Sequence, residues 1–171
     1  ITYLMLYRMM NDSVRIQQLE RTSFQDPLTG TGNRGLLIND LKRLLEGKKT
    51  FSILFMDLDR FKKINDQYGH VIGDQYLQHF ANISARILEN AGKIYRFGGD
   101  EFVALCPGTL QSNIIEQLRV CREWEKGAPC PFNGVSIGGV ECNIPFPDIL
   151  DILHEVDQKM YEIKKERWKV Q

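Results

Sequence analysis

Arg96-Phe97-Gly98-Gly99-Asp100-Glu101-Phe102 lies across two short apolar runs, residues 93–97 and 102–106. Glycine adopts positive φ angles without steric cost, so a Gly-Gly pair between two runs of strand length predicts a tight β-hairpin. Asp100 and Glu101 then fall at the mouth of this hairpin. Neighbouring strand residues point to opposite faces, so at most one of these acids aims squarely at a given site. From the hairpin alone, two interpretations remain equally open: a solvated tip, or a site for a cation and a phosphate.

A second stretch, residues 51–56, is an almost continuous apolar run, which predicts a central buried strand. It leads into Asp57-Leu58-Asp59, and carboxylates at the exit of a buried strand need a partner or a metal ion. A strand, a helical crossover and a hairpin predict a mixed sheet with packed helices, a ferredoxin-like α+β arrangement. In such a sheet the strand exit and the hairpin tip lie side by side, so we expect Asp57 beside Asp100 and Glu101.

The apolar spacing of the other segments predicts the remaining elements. Asn33 is expected to cap the first of the domain's helices, and Gly73-Asp74 is expected to precede the second long one. A glycine-rich strand is predicted over residues 134–141. The predicted helices cover residues 34–45, 61–66, 75–89, 110–125 and 148–167.

The first 25 residues are predicted to be separate from a globular domain over residues 26–171. Residues 2–24 hold no Pro or Gly and read as one helix, with a heptad seam that Asp12 interrupts. This helix either dimerises and transmits a signal from an upstream sensor domain, or packs on its own domain. The chain begins with Ile1, so we expect a piece of a longer protein. Its apolar opening is shorter than the roughly 20 residues of a membrane span, which favours a helix over the end of a membrane anchor.

The composition limits the possible functions. Of 171 residues, 43% are hydrophobic, which is enough for a packed core. Lysine plus arginine and aspartate plus glutamate number 22 each, and this zero net charge argues against a partner that is a nucleic-acid polymer. The four cysteines have no Cys-x-x-Cys spacing, so we expect reduced thiols in a cytoplasmic domain, although the parent protein could be membrane-anchored.

The three acids predict a metal-bound nucleotide. Carboxylates gathered within a few ångströms repel one another, and a hard divalent cation relieves the repulsion. Oxygen ligands without His or Cys favour Mg²⁺ or Mn²⁺, and Mg²⁺ commonly adds phosphate oxygens. Lys62 could meet a phosphate. Asn65 and Asp74 could bind the edge of a guanine, although each of these residue types is also a common helix cap.

Taken together, these residues resemble the GGDEF family of diguanylate cyclases. The resemblance runs from Asp26 to about Trp168 and rests on five blocks in the order and spacing of the family. The blocks are Asp26-Pro27-Leu28-Thr29-Gly30 with Asn33-Arg34, Asp57-Leu58-Asp59-Arg60-Phe61-Lys62-Lys63-Ile64-Asn65-Asp66, Gly69-His70 with Gly73-Asp74, Arg96-Phe97-Gly98-Gly99-Asp100-Glu101-Phe102, and Tyr161 with Lys164.

The resemblance implies a palm-like fold similar to that of nucleotidyl cyclases and polymerases. It implies that two GTP-loaded domains form a homodimer and join two GTP into cyclic di-GMP, releasing two pyrophosphates. Two Mg²⁺ (or Mn²⁺) ions per site would be held by Asp57, the Leu58 carbonyl and Asp100, with Glu101 nearby. Asp100 is then the candidate base for the 3′-hydroxyl. The implied substrate contacts are guanine with Asn65, His70 and Asp74, the GTP backbone with Gly98 and Gly99, and phosphates with Lys62 and Lys164.

Three departures from the family pattern affect these expectations. Glu89-Asn90-Ala91-Gly92 stands where the family has the Arg-x-x-Asp motif of product inhibition, which predicts no allosteric inhibitory site there. Arg167-Trp168 stands where a Gly-Arg pair is usual, so a phosphate contact is either lost or supplied by Arg167. Thr31 and Gly35 replace a usual leucine and a usual second arginine.

The leading hypothesis is an active cyclase, because every metal and base position is filled. The alternative is a catalytically inactive GTP-binding module that regulates a fused partner, and the altered Arg167-Trp168 end motivates it. A purely structural dimerisation domain leaves the acids at the strand exit unexplained. Mixed purine use is a further possibility, against which Asp74 argues.

Overall fold

The computed structural model describes residues 24–109, 112–120 and 124–143, and in the C-terminal part residues 148, 150–152, 154, 155, 158, 159, 161, 162 and 165. The helix predicted over residues 2–24 lies outside this part of the chain, except for Phe24, and so do Lys164, Arg167 and Trp168. The elements in chain order are β1 (Gly32–Asn33), α1 (Arg34–Glu46), β2 (Phe51–Leu58), α2 (Phe61–Tyr68), α3 (His70–Ile87), β3 (Lys93–Gly98), β4 (Glu101–Pro107), α4 (Ser112–Val120) and β5 (Val135–Cys142).

The strands form one mixed five-stranded sheet in the order β1-β3-β4-β2-β5. β1 runs parallel to β3, and the other three pairings are antiparallel. β2 lies between β4 and β5, and all eight of its residues are buried, in agreement with the buried strand that the almost continuous apolar run over residues 51–56 predicted. The predicted α+β fold, a mixed sheet with flanking helices, is thereby confirmed.

Each face of the sheet has its own core, because successive β2 side chains alternate between the faces. Leu54 and Met56 face a core with Tyr76 and Phe80 of α3. On this face Phe80 stacks on Trp124, with ring centroids 5.0 Å apart. This packing fixes α3 across the sheet and so sets the position of its N-terminal end.

The opposite face is covered by α1. Phe51, Ile53 and Phe55 of β2 pack there against Leu37 and Leu41 of that helix. As predicted, Asn33 caps α1: its side-chain oxygen accepts a hydrogen bond of 3.0 Å from the Leu36 N–H. The cap lies within β1, which joins the start of the helix to the sheet.

The start of α3 differs from its prediction. The helix begins at His70, five residues before the expected start at Gln75. Gly69, with φ +84°, separates α2 from α3, whereas Gly73 lies buried inside α3. A Cβ atom at Gly73 would overlap Asn65 Oδ1, so this glycine permits a close approach of the two helices and does not interrupt either.

Other boundaries also differ. β1 was not predicted, because two residues are too few to show a pattern and their pairing with β3 is a tertiary contact. Of the helix expected over residues 110–125, residues 112–120 form α4, and residues 125–127 form a turn. In the C-terminal helix predicted over residues 148–167, every described residue from 150 to 165 is helical.

Three cysteines, Cys106, Cys130 and Cys142, are free and buried. Burial raises the pKa of each thiol, and that of Cys142, which also lies near the charge of Glu155, is raised to about 11. These three are core residues, as expected, while Cys121 lies outside the described residues. None of the helices in the described ranges combines the length and hydropathy needed to cross a membrane.

Candidate active site

The exit of β2 and the tip of the β3–β4 hairpin lie side by side, as predicted. Asp57 is the register partner of Glu101, and the Leu58 N–H donates a 3.2 Å hydrogen bond to the Asp100 carbonyl. Asp57 is 2% exposed, whereas Asp100 and Glu101 are half-buried. A buried strand thus delivers one carboxylate to the edge of an open turn that carries two more.

The hairpin turn lies one residue later than the Gly-Gly pair predicted. β3 ends at Gly98, β4 begins at Glu101, and Gly99 and Asp100 connect the two strands. A register shift between Arg96 and Gly98 accounts for the displacement. Gly99 has φ +48°, and a Cβ atom at Gly98 or Gly99 would meet no other atom within 4 Å. The space beside the turn is therefore open to a ligand.

The structure does not gather the three carboxylates into the cluster that the sequence predicted. Among the described residues, no group of three or more His, Cys, Asp or Glu side chains is placed to hold a metal ion. Asp57 and Glu101 face each other across two strands, whereas Asp100 lies in the turn that precedes Glu101.

Asp59, the third residue of the motif that leaves β2, is tied to β5. Its N–H donates to the Gly134 carbonyl at 2.9 Å, and its Oδ1 accepts a 2.8 Å hydrogen bond from the Ser136 hydroxyl. Gly134 has φ +100°, and a Cβ atom there would lie 2.9 Å from Asp59 Oδ2. Asp59 thus anchors the exit of β2. Nothing in the sequence indicated that Gly134 and Ser136 are its partners.

The next residue, Arg60, has φ +56°, in the left-handed region that side chains other than glycine rarely adopt. It precedes α2 without a side-chain hydrogen bond that caps the helix. This turn reverses the chain directly after Asp59, so α2 starts close to the strand exit. The sequence showed no signal for it, since arginine has no preference for this conformation.

The predicted contacts to guanine and phosphate lie on the adjoining α2–α3 pair. Lys62 and Asn65 belong to α2, and His70 and Asp74 belong to the first turns of α3. Lys62, His70 and Asp74 are exposed, and Asn65 is half-buried. Three of these four side chains are thus exposed to a ligand, whereas Lys164 lies outside the described residues.

Arg96 connects the hairpin turn to the start of the domain. Its Nε–H donates to the Gly99 carbonyl at 2.9 Å, and one terminal nitrogen forms an ion pair with Asp26 at 3.2 Å. Asp26 also accepts hydrogen bonds from the Thr29 N–H and hydroxyl, at 2.9 and 2.7 Å. Burial alone would raise the pKa of Asp26, but the Thr29 and Arg96 hydrogen bonds and the Arg96 charge outweigh it, and this pKa is lowered. Sequence reasoning found these residues only as parts of motifs, not as partners.

The comparisons with known proteins agree with this geometry. The family model "Diguanylate cyclase, GGDEF domain" matches residues 23–169, and the chain belongs to this family. It is 29% identical over 167 residues to the diguanylate cyclase DgcS of Shewanella oneidensis, covering 94% of this chain and 56% of DgcS. It is 32% identical over 155 residues to the probable diguanylate cyclase DgcI of Escherichia coli, covering 90% of this chain and 34% of DgcI. The chain thus spans about half and about a third of these relatives.

Solved structures show the same fold. The coiled coil and GGDEF domain of DgcB from Caulobacter crescentus, in complex with c-di-GMP, matches with a TM-score of 0.78 at 23% identity, covering 94% of this chain and 91% of that solved chain. The diguanylate cyclase SiaD of Pseudomonas aeruginosa, in complex with its activator SiaC, matches with a TM-score of 0.71 at 26% identity, covering 94% and 68%. At such identities the fold is shared, while the activity of this chain is a matter for proposal.

Proposed function

We propose that this chain is a diguanylate cyclase that condenses two GTP into cyclic di-GMP and two pyrophosphates. The observation that carries the proposal is the junction of β2 with the hairpin, where Asp57 stands opposite Glu101 and the Leu58 N–H binds the Asp100 carbonyl. Membership of the GGDEF family supports it, since the relatives named above include diguanylate cyclases.

The donor set at this junction fits Mg²⁺ or Mn²⁺, which prefer oxygen ligands. The proposed ligands are the Asp57 and Asp100 carboxylates and the Leu58 carbonyl, with Glu101 close by. Mg²⁺ is commonly held by one or two carboxylates plus phosphate oxygens and water, which suits a site where the described residues offer no group of three metal-ligating side chains. When bound, two such ions would neutralise charge at the α-phosphate and on the leaving pyrophosphate.

The nucleotide is proposed to lie between the hairpin turn and the α2–α3 pair. Open space at Gly98 and Gly99 leaves room for the triphosphate against the backbone. Lys62, which is exposed at the start of α2, would bind a phosphate, and Lys164 is proposed as a second phosphate ligand. Asn65, His70 and Asp74 would bind guanine, since an amide and a carboxylate match its donors and acceptors.

In the proposed reaction, the 3′-oxygen of one GTP attacks the α-phosphorus of the other. The new bond joins O3′ to the α-phosphorus, the bond from that phosphorus to the bridging oxygen of pyrophosphate breaks, and Asp100 accepts the 3′-hydroxyl proton. In the second step, the 3′-oxygen of the second nucleotide attacks the α-phosphorus of the first, which releases the second pyrophosphate and closes the ring. Each step is a substitution at phosphorus without oxidation or reduction.

One domain offers one such site, so two GTP-loaded copies must meet for the bond to form. The partner is therefore a second copy of this chain, and the first 25 residues are proposed to orient the two copies and raise their effective concentration. An upstream sensor in the parent protein would act through this segment. A partner that is a nucleic-acid polymer forms no part of the proposal.

The test is incubation of the full chain with Mg²⁺ and GTP, followed by chromatographic detection of cyclic di-GMP. Activity is expected in dimeric samples, and Asp100→Ala should abolish it, while Glu116→Ala, which removes an exposed acid from α4, serves as the control. A dimeric sample that binds GTP and forms no product would refute the cyclase and favour the alternative of a regulatory GTP-binding module.

A further inference from the structure

Gly73 occupies a position where a side chain has no room. It is buried in the second turn of α3, facing α2. A Cβ atom there would overlap Asn65 Oδ1, and it would also lie 3.0 Å from Asn65 Cγ and 3.4 Å from Phe61 Cζ. The side chain of Asn65 therefore occupies the volume that any other residue at position 73 would need.

The backbone does not explain this glycine. Gly73 is helical, and its N–H donates to the Gly69 carbonyl at 3.1 Å. Gly69, by contrast, has φ +84° and meets a conformational need that other residues satisfy poorly. Alanine is favoured over glycine inside a helix, so glycine at position 73 lowers the intrinsic stability of α3. The space that this glycine leaves therefore needs another explanation.

We propose that Gly73 is a specificity-determining positioning residue, which acts by leaving space for the Asn65 side chain beside Asp74. The inference rests on the proposed function, in which Asn65 and Asp74 bind guanine. Asp74 directly follows Gly73 on α3, and the Asn65 side chain of α2 lies against Gly73. The missing side chain at position 73 thus determines where the Asn65 amide can lie on the helix that carries Asp74.

A Gly73→Ala substitution should move Asn65 and leave the fold intact. The atom that the new methyl group meets is at the end of a flexible side chain, which can rotate away. The amide would then leave its place at the guanine edge, and a site that loses one hydrogen bond to a base binds that base less tightly. Gly73→Ala should therefore weaken recognition of the base without lowering the stability of the helix.

The experiment measures binding of α,β-methylene GTP and α,β-methylene ATP, which cannot be cyclised, to the full chain in Mg²⁺. Gly73→Ala, Asn65→Ala and the double variant are compared with the wild type by calorimetry. We expect Gly73→Ala to weaken binding of the GTP analogue about tenfold and to leave the ATP analogue unchanged. In the Asn65→Ala background, the same substitution should have no further effect.

The matched control is Gly35→Ala, another glycine-to-alanine change within a helix. A Cβ atom at Gly35 would lie 3.2 Å from Asn33 Oδ1, far along the chain from the base-binding residues. Nucleotide preference should be unchanged in this variant. Thermal unfolding of every variant identifies effects on folding alone.

Among folded variants, two binding results would overturn the inference. One is a Gly73→Ala variant that keeps the full preference of the wild type for the guanosine analogue. The other is a double variant whose loss of binding to the GTP analogue is the sum of the losses in the two single variants. If Gly73→Ala does not fold, Asn65→Ala should restore folding by clearing the overlap, and failure to do so would also overturn it.

The proposed function has a separate point of failure. A wild type without preference for the guanosine analogue contradicts guanine binding by this site. The contact between Gly73 and Asn65 is then judged by thermal unfolding alone, where coupled effects of the two substitutions support it and additive effects exclude it.

Discussion

Asp57 lies opposite Glu101 in the antiparallel pairing of β2 with β4, and it is almost fully buried. The hairpin tip next to it carries Asp100, whose carbonyl accepts the Leu58 N–H. A carboxylate at such a position either binds a cation or needs strong local compensation. Substitution of Asp57, compared with substitution of the nearby Asp59, can therefore separate metal binding from folding.

We predict that Asp57→Asn reduces cyclase activity at least a hundredfold and raises the Mg²⁺ concentration needed for half-maximal rate. The amide keeps the size of the side chain and removes the charge that favours a divalent cation. Rates are measured across a Mg²⁺ titration.

Asp59→Asn is the matched control, because Asp59 hydrogen-bonds to the Ser136 hydroxyl and the Gly134 carbonyl and has no proposed metal role. It should lower the free energy of unfolding by about 1 kcal/mol and leave the Mg²⁺ requirement unchanged. A Mg²⁺ requirement that changes only in the Asp59 variant would reverse the assignment.

We predict an acid-sensitive contribution to stability from Asp26. The pKa of this carboxyl is lowered from its ordinary value of 3.8, so folding favours its ionised form. Its contribution is fully present above that ordinary value and is lost as the pH falls through the lower pKa of the folded chain. Denaturant unfolding between about pH 2 and 6 should show this loss in the wild type and a flatter curve in Asp26→Asn.

We predict that Arg96→Ala lowers the free energy of unfolding by about 1–3 kcal/mol at neutral pH. The substitution removes the ion pair with Asp26 and the hydrogen bond to the Gly99 carbonyl, and both Arg96 and Asp26 are only 16% exposed. Arg43→Ala is the comparison, because Arg43 is 72% exposed and its ion pair with Asp40 is long at 3.8 Å. It should cost less than about 0.5 kcal/mol, and equal losses in the two variants would contradict the prediction.

We predict that the family's inhibitory motif cannot be restored here by two substitutions. A Cβ atom at Gly92 would lie 2.5 Å from the Leu105 carbonyl oxygen and 2.7 Å from Cys106 Sγ. Because one neighbour is backbone, Glu89→Arg with Gly92→Asp should destabilise the fold by about 1–3 kcal/mol and create no product inhibition. Glu89→Arg alone, at an exposed position, is the control. Wild-type rates that fall on addition of cyclic di-GMP would show that feedback operates by another route.

We predict that Asn33→Ala lowers the free energy of unfolding by about 1 kcal/mol, because it removes the cap on the Leu36 N–H. Asn33→Ser should retain most of the wild-type stability, since a hydroxyl can accept the same hydrogen bond. Urea unfolding at neutral pH distinguishes the two variants. Equal losses in both would show that the cap contributes little.

Local patterns predicted those features that local chemistry determines. The apolar run of β2, the strands of the hairpin and the Asn33 cap needed no knowledge of distant partners. The meeting of Asp57 with the hairpin tip followed from the order of elements. The family motifs pointed to the proposed site residues, whose types suit the groups of a nucleotide.

The features that the sequence did not predict depend on contacts between distant parts of the chain. Gly73 resembled a helix boundary, because glycine commonly ends helices, and only the position of Asn65 explains it. The turn at Gly99 and Asp100 moved by one residue because of a register shift in the sheet. The three acids were expected as one cluster, but Asp100 lies in the turn, outside the strand that carries Glu101, and the described residues hold no group of three metal-ligating side chains. The left-handed Arg60 had no sequence signal at all.

Arg96 holds the hairpin tip by the carbonyl oxygen of Gly99, an atom that every amino acid possesses. This tether is therefore independent of the side chain at position 99. Asparagine tolerates the left-handed conformation seen there, so Gly99→Asn would place a bulky group in the open space and keep the tether. Crowding of the proposed nucleotide site and loosening of the loop can thus be varied one at a time in the same few residues.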